Sequence, residues 1–253
     1  MERWRLLDLE YPEAPVNLAL EEALAREIGT GRSPPTLRLW RNRRAAIIGE
    51  NQAANEELQL KACRDLHVEV VRRFTGGGAV YHDLGNLNYS ICARRPSPSN
   101  LEFQQMLLRH ALDCAVETIS RLGLEPERVP TNSVMIRGRK ISGGAAAIRW
   151  GAVFYHGSIL VNSDLDMIWR VLRQERSPKF RGLVQSIRAP VISLEKALGR
   201  ELSLDQVKNT MASAFREIFT ASLTPQAVTT QELSTAAGLL NEKYSREEWN
   251  LRK

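Results

Sequence analysis

Hydrophobic and polar positions follow one another in blocks that predict strands interleaved with helices. Strand-like alternation or short apolar runs occur in WRLLDLE, TLRLWRN, AAIIGEN, VEVVRR, NLNYSICAR, VMIRGRKISGG and GAVFYHGSILVNS. Helical spacing occurs in PVNLALEEALAREIGTG, residues 100–122, DLDMIWRVLR and residues 204–219. This order, without repeats or a low-complexity linker, predicts one large α/β domain over residues 1–253.

Cap and turn residues predict some of the connections between these blocks. Asn55 is expected to cap a single helix over NEELQLKACRDLH, and Asp164 can cap DLDMIWRVLR. Gly138 predicts a hairpin turn within VMIRGRKISGG. We expect VEVVRR and NLNYSICAR, which flank a glycine-rich stretch, to pair as a hairpin.

Composition restricts the class of protein. Hydrophobic residues make up 43% of the chain and charged residues 25%, which is typical of a globular protein with a real core. No segment has the length of a membrane span or the pattern of a signal peptide, so we expect a cytoplasmic protein without membrane association. The three cysteines, Cys63, Cys92 and Cys114, lack the close spacing of a disulfide framework or zinc site and are expected to be buried thiols.

The formal net charge of +6 suits an anionic partner, which could be nucleic acid, an acidic protein or a small molecule. The basic residues are dispersed in short clusters, and aromatic residues make up only 6% of the chain. Stacking surfaces for nucleic acid need basic and aromatic side chains together. A non-catalytic nucleic-acid-binding protein therefore stays a remote alternative, and no nucleic-acid partner is predicted.

The stretch RRFTGGGAVYHDLGNLNYS, residues 72–90, contains the most distinctive candidate chemistry. Three glycines at 76–78 leave backbone N–H groups open to a phosphate or carboxylate, although three glycines also suit a turn or bulge. Arg72 and Arg73 are expected to point to opposite faces of their strand, so one of them can reach an anion. The pattern lacks the closing Gly-Lys-Ser/Thr of a P-loop and the following helix of a dinucleotide fingerprint.

A second candidate block is GRKISGGAAAIRWGAVFYHGS, residues 138–158. Lys140 follows the predicted turn, and the small residues after it leave space beside its ammonium group. A lysine next to a hairpin is also compatible with simple exposure to solvent. His82 and His156 could act as general bases or metal ligands, but their separation favours structural roles.

Together these blocks resemble the lipoate–protein ligase A family. RRFTGGGAVYHDLGNLNYS is similar to the family signature of Arg-Arg, Ser or Thr, three glycines, His-Asp and Gly-Asn-x-Asn. GRKISGG and YHGSILVNSDLD are similar to its Gly-Arg-Lys, Ser-Gly and His-Gly block. LVQSIRAPVISL and KYSREEWNLRK resemble two further family segments, so the likeness covers about residues 1–253.

The resemblance implies an α+β fold of mixed sheets flanked by helices, like the biotin and lipoate protein ligase catalytic domains and related to class II aminoacyl-tRNA synthetase cores. It implies a ligase that converts lipoate and ATP, with Mg²⁺, to lipoyl-AMP, and then lipoylates a lysine of an acceptor lipoyl domain. The acceptors implied are the E2 subunits of 2-oxoacid dehydrogenases and the glycine cleavage H protein.

The resemblance also implies the site residues. Lys140 is the expected catalytic residue. The residues expected to bind substrate or nucleotide are Arg72, Gly76, Gly77, Gly78, Ala79, His82, Asp83, Asn86, Lys140, Gly143 and His156. Where many family members have Asn-Asp to serve Mg²⁺, this chain has Asn132-Ser133, which leaves Asn132 as a possible metal contact.

Two further expectations follow from the resemblance. Longer family members carry an additional C-terminal domain, so a bipartite ligase with a separately encoded small accessory subunit is expected. RQERSPKFRGLVQS is the candidate for a mobile loop over the acyl-adenylate.

The main alternative function is that of a lipoyl or octanoyl transferase of the same superfamily, which forms a thioester on a cysteine. No cysteine lies beside Lys140 or before His156 in the sequence.

Overall fold

Two β-sheets organise the chain in this computed structural model, which describes residues 2–129, 132–173 and 190–252. The strands are β1 Glu2–Asp8, β2 Thr36–Trp40, β3 Arg44–Ile48, β4 Glu69–Arg72, β5 Val80–Asp83, β6 Asn86–Arg94, β7 Glu127–Val129, β8 Ser133–Ile136, β9 Arg139–Arg149, β10 Ala152–Leu160 and β11 Ala221–Pro225. The α-helices are α1 Ala14–Gly29, α2 Ala54–Glu57, α3 Leu60–Asp65, α4 Leu101–Arg121, α5 Leu165–Val171, α6 Leu194–Leu198, α7 Leu204–Ile218, α8 Thr230–Leu239 and α9 Glu247–Asn250, with a π-helical turn at Leu240–Tyr244.

The larger sheet has eight strands in the order β11-β1-β2-β6-β10-β9-β8-β7, and the smaller has three in the order β4-β3-β5. Only β11, β1 and β2 run parallel within the larger sheet, and the remaining neighbours are antiparallel. An α/β protein would have a mainly parallel sheet. The α/β prediction from the element order is therefore corrected, and the α+β prediction is confirmed.

The larger sheet separates two hydrophobic cores. On one face, α4 and α7 pack against Leu87, Tyr89 and Ile91 of the central strand β6. The opposite face is covered by α1 and the smaller sheet, which bring Leu18 and Ile47 into the second core. Helix α1 is buried along most of its length because it lies between these layers. The space left between the smaller sheet and the larger one contains the site described below.

The glycine-rich stretch does not form the predicted hairpin. Strand β4 pairs in parallel with β3, whereas β6 pairs with β2 and β10 in the other sheet. The chain therefore leaves the smaller sheet after β5 and enters the larger one at β6. The prediction was wrong because pairing depends on tertiary partners that alternation alone does not specify.

The segment NEELQLKACRDLH is also not one helix. It forms the short helices α2 and α3, separated where Leu58 makes an isolated antiparallel bridge with Leu172. Asn55 lies inside α2, and Ala53 is at the N-cap position. The helix is therefore interrupted at the buried Leu58, which pairs with Leu172 directly after α5.

Several local predictions are confirmed. Arg137 and Gly138 both have positive φ, 49° and 72°, as a tight hairpin turn requires, and they join β8 to β9. The helix predicted over residues 100–122 forms α4, and the Asp164 side chain caps α5 as expected. None of the helices in the described ranges is long and apolar enough to cross a membrane.

Candidate active site

A cavity of about 180 Å³ lies between the smaller sheet, the central strands of the larger sheet and helix α5. Apolar residues form much of its wall, and a few polar groups converge on it. Such a combination is typical of a small-molecule site. The lining residues are Leu18, Trp40, Ile47, Arg73, Gly77, Gly78, Ala79, Val80, Tyr81, His82, Asn88, Ser133, Lys140, Ile141, Ser142, Gly143, Gly144, Ala145, His156, Gly157, Ser158, Leu160, Ile168, Trp169, Leu172, Arg173 and Val191.

A β-bulge turns Lys140 into this cavity. In the β8–β9 ladder, Ser133 pairs with Gly143 but Met135 pairs with Lys140, so the extra residue Ile141 lies in β9. Side chains alternate between faces along a regular strand, and Lys140 would then face away from Gly143. The bulge reverses this parity and puts both residues on the cavity face.

Gly143 provides the room for the lysine. A Cβ atom at Gly143 would lie 2.7 Å from Lys140 Cε and 2.8 Å from Lys140 Nζ. The lysine stem therefore lies directly over the glycine backbone. Burial, followed by the charge of Arg73, lowers the pKa of Lys140. No carboxylate lies among the described lining residues, so the ammonium group has no counter-ion there.

Arg73 shapes the glycine-rich connection between β4 and β5, residues 73–79, which we call the glycine loop. Its side chain is buried and donates to Gly76 O at 2.6 Å, Gly78 O at 2.8 Å and Thr75 Oγ1 at 3.0 Å. Burial lowers the pKa of Arg73 to about 10, which leaves it cationic at neutral pH. A fixed cation thus holds the loop carbonyls on one side.

This arrangement directs backbone donors the other way. The C=O and N–H of one trans peptide point in opposite directions, and none of the described peptides is cis. Since Arg73 binds the carbonyls of Gly76 and Gly78, the N–H groups of Gly77 and Ala79 point away from it. Neither N–H donates a hydrogen bond to a described residue, and both residues line the cavity. They are therefore available to an anion.

A buried relay attaches the glycine loop to the larger sheet. His156 on β10 lies with Nε2 2.8 Å from Thr75 Oγ1 and Nδ1 2.7 Å from Glu21 Oε2. Ser90 on β6 donates to the other oxygen of Glu21. Register explains this meeting, because His156 pairs with Ser90 across the sheet and α1 crosses that face.

His82 supplies a neutral donor. Burial, with the charges of His156 and Arg73, lowers the pKa of His82 to about 3, so its imidazole is neutral at pH 7. Asn42 Nδ2 lies 3.2 Å from His82 Nδ1. An amide nitrogen only donates, so Nδ1 accepts and Nε2 carries the proton. His82 therefore offers an N–H to the cavity that it lines.

The structure brings together most of the residues expected at the site. Gly77, Gly78, Ala79, His82, Lys140, Gly143 and His156 all line the cavity. Gly76 lies in the same loop but outside the described lining. Asn132 also lies outside it, with positive φ, and its carbonyl accepts from Gly144 N at 2.8 Å.

Asp83 and Asn86 are placed behind the cavity wall. Asp83 accepts from Gly85 N at 2.9 Å and from Asp164 N at 2.8 Å, which joins the β5–β6 turn to the start of α5. Asn86 is buried and donates to Asn88 Oδ1 at 2.7 Å, and Asn88 lines the cavity. Both side chains can affect a ligand only through neighbours.

Arg72 differs most from its expected placement. It is fully buried outside the cavity lining, and carbonyl oxygens of the Gly49–Gln52 turn and the C-terminal segment surround its guanidinium group. Contact with a bound nucleotide or acyl chain is corrected to a structural placement, because all of its nitrogens donate to the protein's own backbone. Arg73 is the arginine that reaches the cavity.

Sequence reasoning did not identify Glu21 and Asn42 as site residues. Glu21 lies in α1, whose sequence pattern indicates only a helix packed against the core. A glutamate that is buried in such a helix needs a polar partner, and this was the one signal for it. Arg73 was one of two arginines expected to reach an anion, and Thr75 was part of the motif without a role. Residues 174–189, which include most of the expected mobile loop and the start of LVQSIRAPVISL, lie outside the described residues.

All three cysteines of the chain lie in the described ranges and away from the cavity lining. Each is buried in a different hydrophobic cluster: Cys63 beneath the smaller sheet, Cys92 beside α1 and Cys114 beside α7. Burial raises the pKa of all three thiols. They are buried thiols, as the sequence predicted, and buried thiols with raised pKa values are poor nucleophiles.

Known proteins of one family are similar to this chain over most of its length. A family model described as the lipoyl protein ligase A/B catalytic domain matches residues 13–216. Lipoate-protein ligase A subunit 1 of Thermoplasma acidophilum is 36% identical over 98% of this chain and 96% of its own length. Octanoyltransferase LipM of Symbiobacterium thermophilum is 31% identical over 99% of this chain and 98% of its own.

Solved structures share the fold over nearly the whole chain. A bi-partite lipoate protein ligase from T. acidophilum, studied with its E2 lipoyl domain, has a TM-score of 0.86 at 36% identity and covers 99% of this chain and 97% of its own. A T. acidophilum protein with bound lipoic acid and a lipoate-protein ligase A bound with ATP each have a TM-score of 0.84, at 33% and 34% identity, with 99% of both chains covered. With a matching family model and relatives aligned almost end to end, the chain belongs to the lipoyl protein ligase A/B catalytic domain family, whose members include ligases and octanoyltransferases.

Proposed function

We propose that this chain is the catalytic part of an ATP-dependent lipoate–protein ligase, with one catalytic domain over residues 1–253. The observation that carries the proposal is the pairing of Lys140 with backbone N–H groups that have no acceptor among the described residues, in a cavity without a thiol. Adenylation needs positive charge and N–H donors where negative charge develops. Similarity to ligases solved with lipoic acid and with ATP supports this choice of substrates.

In the proposed first step, a lipoate carboxylate oxygen attacks the α-phosphorus of ATP, the bond to the β-phosphate oxygen breaks, and pyrophosphate leaves. The Lys140 ammonium would draw the two anions together and neutralise charge at the α-phosphate. The N–H groups of Gly77 and Ala79 and the Nε2–H of His82 would donate to phosphate or carboxylate oxygens. The apolar wall formed by residues such as Leu18, Ile47 and Ile168 would hold the aliphatic chain.

Magnesium fits the described residues poorly as a protein-bound ion. No Asp or Glu lies in the described lining, and no group of three or more His, Cys, Asp or Glu side chains in the described ranges could hold a metal. Mg²⁺ prefers carboxylate, phosphate and water oxygens. It would therefore enter the site bound to ATP, as part of the co-substrate.

In the second step, the amine of an acceptor lysine attacks the acyl carbonyl of lipoyl-AMP, an amide forms, and AMP leaves. We infer that the acceptor is a lipoyl domain, because the bi-partite T. acidophilum ligase was studied with its E2 lipoyl domain. The glycine cleavage H protein is a second candidate acceptor. The net charge of +6 would favour encounter with an acidic acceptor.

We also infer a small accessory subunit that supports adenylation. The relative at 36% identity is a subunit 1, and it matches this chain over almost its full length. The solved neighbour is likewise described as bi-partite. Adenylation by the purified chain alone, at the rate seen with a candidate second subunit, would contradict this inference.

Octanoyl transfer is the second candidate function, since an octanoyltransferase is also similar over the full chain. Transfer through an acyl-thioester needs a thiolate that the donor and acceptor can reach. The three thiols of this chain are buried outside the cavity lining, and burial raises the pKa of each. This observation favours the ligase.

The test supplies the chain with lipoate, ATP, Mg²⁺, an acceptor lipoyl domain and a candidate second subunit, and follows lipoyl-AMP and acceptor mass. We expect ATP-dependent lipoylation that falls by at least about 10²-fold in Lys140→Ala, since a charge acting on the transition state is lost. Arg139→Ala is the matched control, because Arg139 is the exposed neighbour of Lys140 on the same strand and lies outside the lining.

A different result would identify the transferase. In that case octanoyl transfer from an acyl carrier protein would proceed without ATP, and a Cys→Ser change at position 63, 92 or 114 would abolish it. Loss of activity in Arg139→Ala equal to that in Lys140→Ala would remove the specific role given to Lys140.

A further inference from the structure

We propose that Glu21 is a positioning residue that fixes the glycine loop from helix α1, acting through His156 and Thr75. The activity arm of its test rests on the proposed function, whereas the spectroscopic arm does not. The residues form one continuous chain of hydrogen bonds, Glu21 to His156 at 2.7 Å and His156 to Thr75 at 2.8 Å. Thr75 directly precedes the three glycines.

The Glu21 carboxylate is built into this position. Its side chain is completely buried, and its two oxygens accept from His156 Nδ1 and Ser90 Oγ. It has no lysine or arginine salt bridge among the described residues, unlike other buried glutamates of α1 such as Glu22 and Glu27. Burying a carboxylate is costly without full hydrogen bonding. Such a placement therefore indicates a requirement for an acceptor at His156.

The direction of the hydrogen bond between His156 and Glu21 can be assigned. A carboxylate only accepts, so His156 Nδ1 carries a proton and donates it to Glu21. Arg73 Nε donates to Thr75 Oγ1 at 3.0 Å, and a hydroxyl oxygen can accept two hydrogen bonds and donate one. Thr75 can therefore bond His156 Nε2 whether or not that nitrogen is protonated, and Glu21 is the group that holds the proton at Nδ1.

The relay reaches the ligand-binding groups through Thr75. Thr75 O accepts from Glu50 N at 2.8 Å, so its backbone is held on one side by the turn after β3 and its hydroxyl on the other by β10. The next residues are those whose carbonyls Arg73 holds. If Thr75 rotated, the N–H groups of Gly77 and Ala79 would lose their fixed direction toward the ligand.

Glu22 provides a matched control on the same helix. It is equally buried, but it contacts Arg26, Lys243 and Tyr244 on the side of the C-terminal π-helical turn. None of these residues lines the cavity. Replacing either glutamate removes one buried carboxylate from α1, and only Glu21 is part of the relay.

The first experiment records ¹⁵N spectra of the histidine side chains in the full chain without ligands. The parent is expected to show a protonated Nδ1 for His156, assigned by its loss in His156→Gln. Glu21→Leu should abolish this signature, Glu21→Gln should keep it because the amide oxygen can still accept, and Glu22→Leu should keep it. Retention of the signature in Glu21→Leu would overturn the proposal, whatever the enzyme does.

The second experiment measures lipoyl-AMP formation by the same variants with the second subunit present. We expect kcat to fall about 10²-fold in Glu21→Leu, with the KM for lipoate changed less than about twofold, because displaced donors weaken the transition state more than the apolar acyl contacts. Glu21→Gln should recover most of the rate. Equal losses in Glu21→Leu and Glu22→Leu would reduce Glu21 to a general stability role.

A double-mutant cycle separates the relay from independent effects. Thr75→Val removes the hydroxyl that the relay holds, so it and Glu21→Leu should be strongly non-additive in kcat. Thr75→Val and Glu22→Leu should be additive. If Glu21→Leu fails to fold, the cycle is run with Glu21→Met, which is similar in length to glutamate and also lacks the acceptor, and additivity there contradicts the proposal. Absence of adenylation in the parent would count against the proposed function, and the spectra would still decide the role of Glu21.

Discussion

Arg72 and Arg73 are neighbours in sequence, yet they organise two regions with opposite properties. Arg72 lies among six carbonyl oxygens of the Gly49–Gln52 turn and the C-terminal segment, and the region around it is closed. Arg73 holds the carbonyls of Gly76 and Gly78 and leaves backbone N–H groups at a cavity without an acceptor among the described residues. Both guanidinium groups are buried, and burial lowers the pKa of each to about 10.

The comparison shows that a guanidinium group can join distant segments in one region and expose backbone donors to a cavity in another. Carbonyl oxygens are the partners in both cases. Around Arg72 they come from distant parts of the chain, such as Gly49 and Trp249, so their capture joins those parts. Around Arg73 they come from consecutive peptides, so their capture turns the N–H groups of those peptides outward. Stability is expected to depend mainly on Arg72, and catalysis mainly on Arg73.

The largest effect is expected for Arg72→Met. It leaves several buried carbonyls without donors, each costing about 1–3 kcal/mol, so the free energy of unfolding should fall by roughly 4 kcal/mol. Urea unfolding at pH 7 measures this. Arg252→Met is the control, because Arg252 is exposed and makes a single such donation, to Glu50 O. A loss below about 1 kcal/mol in Arg72→Met would remove the proposed division between the arginines.

Arg73→Lys should show the reverse balance. A lysine keeps the charge but cannot bind two loop carbonyls and Thr75 together, so we expect adenylation to fall about 10²-fold. The free energy of unfolding should fall by less than in Arg72→Met. Single-turnover formation of lipoyl-AMP and urea unfolding of the same preparations check both parts. Unchanged adenylation with a large stability loss would mean that Arg73 is another structural clamp.

His82 should give the Arg73 region a sensitivity to acid. Its pKa is about 3 in the folded protein, below the ordinary 6.5, so the unfolded chain binds its proton first. The stabilising contribution is fully present above pH 6.5 and is lost as the pH falls towards 3, by at most about 1.4 kcal/mol per pH unit. Unfolding free energies of the parent and His82→Gln between pH 7 and pH 4 should therefore converge. Parallel curves would contradict a buried neutral histidine.

The smallest effect is expected at Glu50, whose backbone links the two regions. Its N–H donates to Thr75 O, and its carbonyl accepts from Arg72. Among the described residues its side chain makes one salt bridge, with Arg149 at 2.7 Å, which should contribute less than about 1 kcal/mol. Glu50→Gln should hence change thermal unfolding little. A loss near that of Arg72→Met would show that the side chain, and not the backbone, joins the regions.

The sequence predicted local features well where local physics determines them. Helix α4 lies within the predicted range 100–122, and the β8–β9 turn forms at Arg137 and Gly138, where positive φ is needed. The motif resemblance predicted that Lys140, His82 and His156 would meet, and they line one cavity. These residues were identifiable because cap, turn and motif patterns are short.

Features that depend on tertiary partners were not predictable in the same way. The sequence indicated that the two arginines point apart, but only the fold shows which of them reaches the cavity. Strand β4 found its partner in β3 rather than β6, because the choice is made by packing between layers. Glu21 is indistinguishable from other glutamates of α1 until β10 brings His156 against it.

Because of the bulge at Ile141, the face of β9 on which Lys140 lies depends on the number of residues in the strand as well as on their identity. Deleting one residue there would return the strand to regular alternation and turn the lysine toward the core, although the lysine itself would be unchanged. Substitutions at Ile141 that keep the strand length would leave the lysine in place. The length of β9 at this point therefore determines whether Lys140 faces the cavity, so an insertion or deletion there is expected to disturb the lysine more than a point mutation.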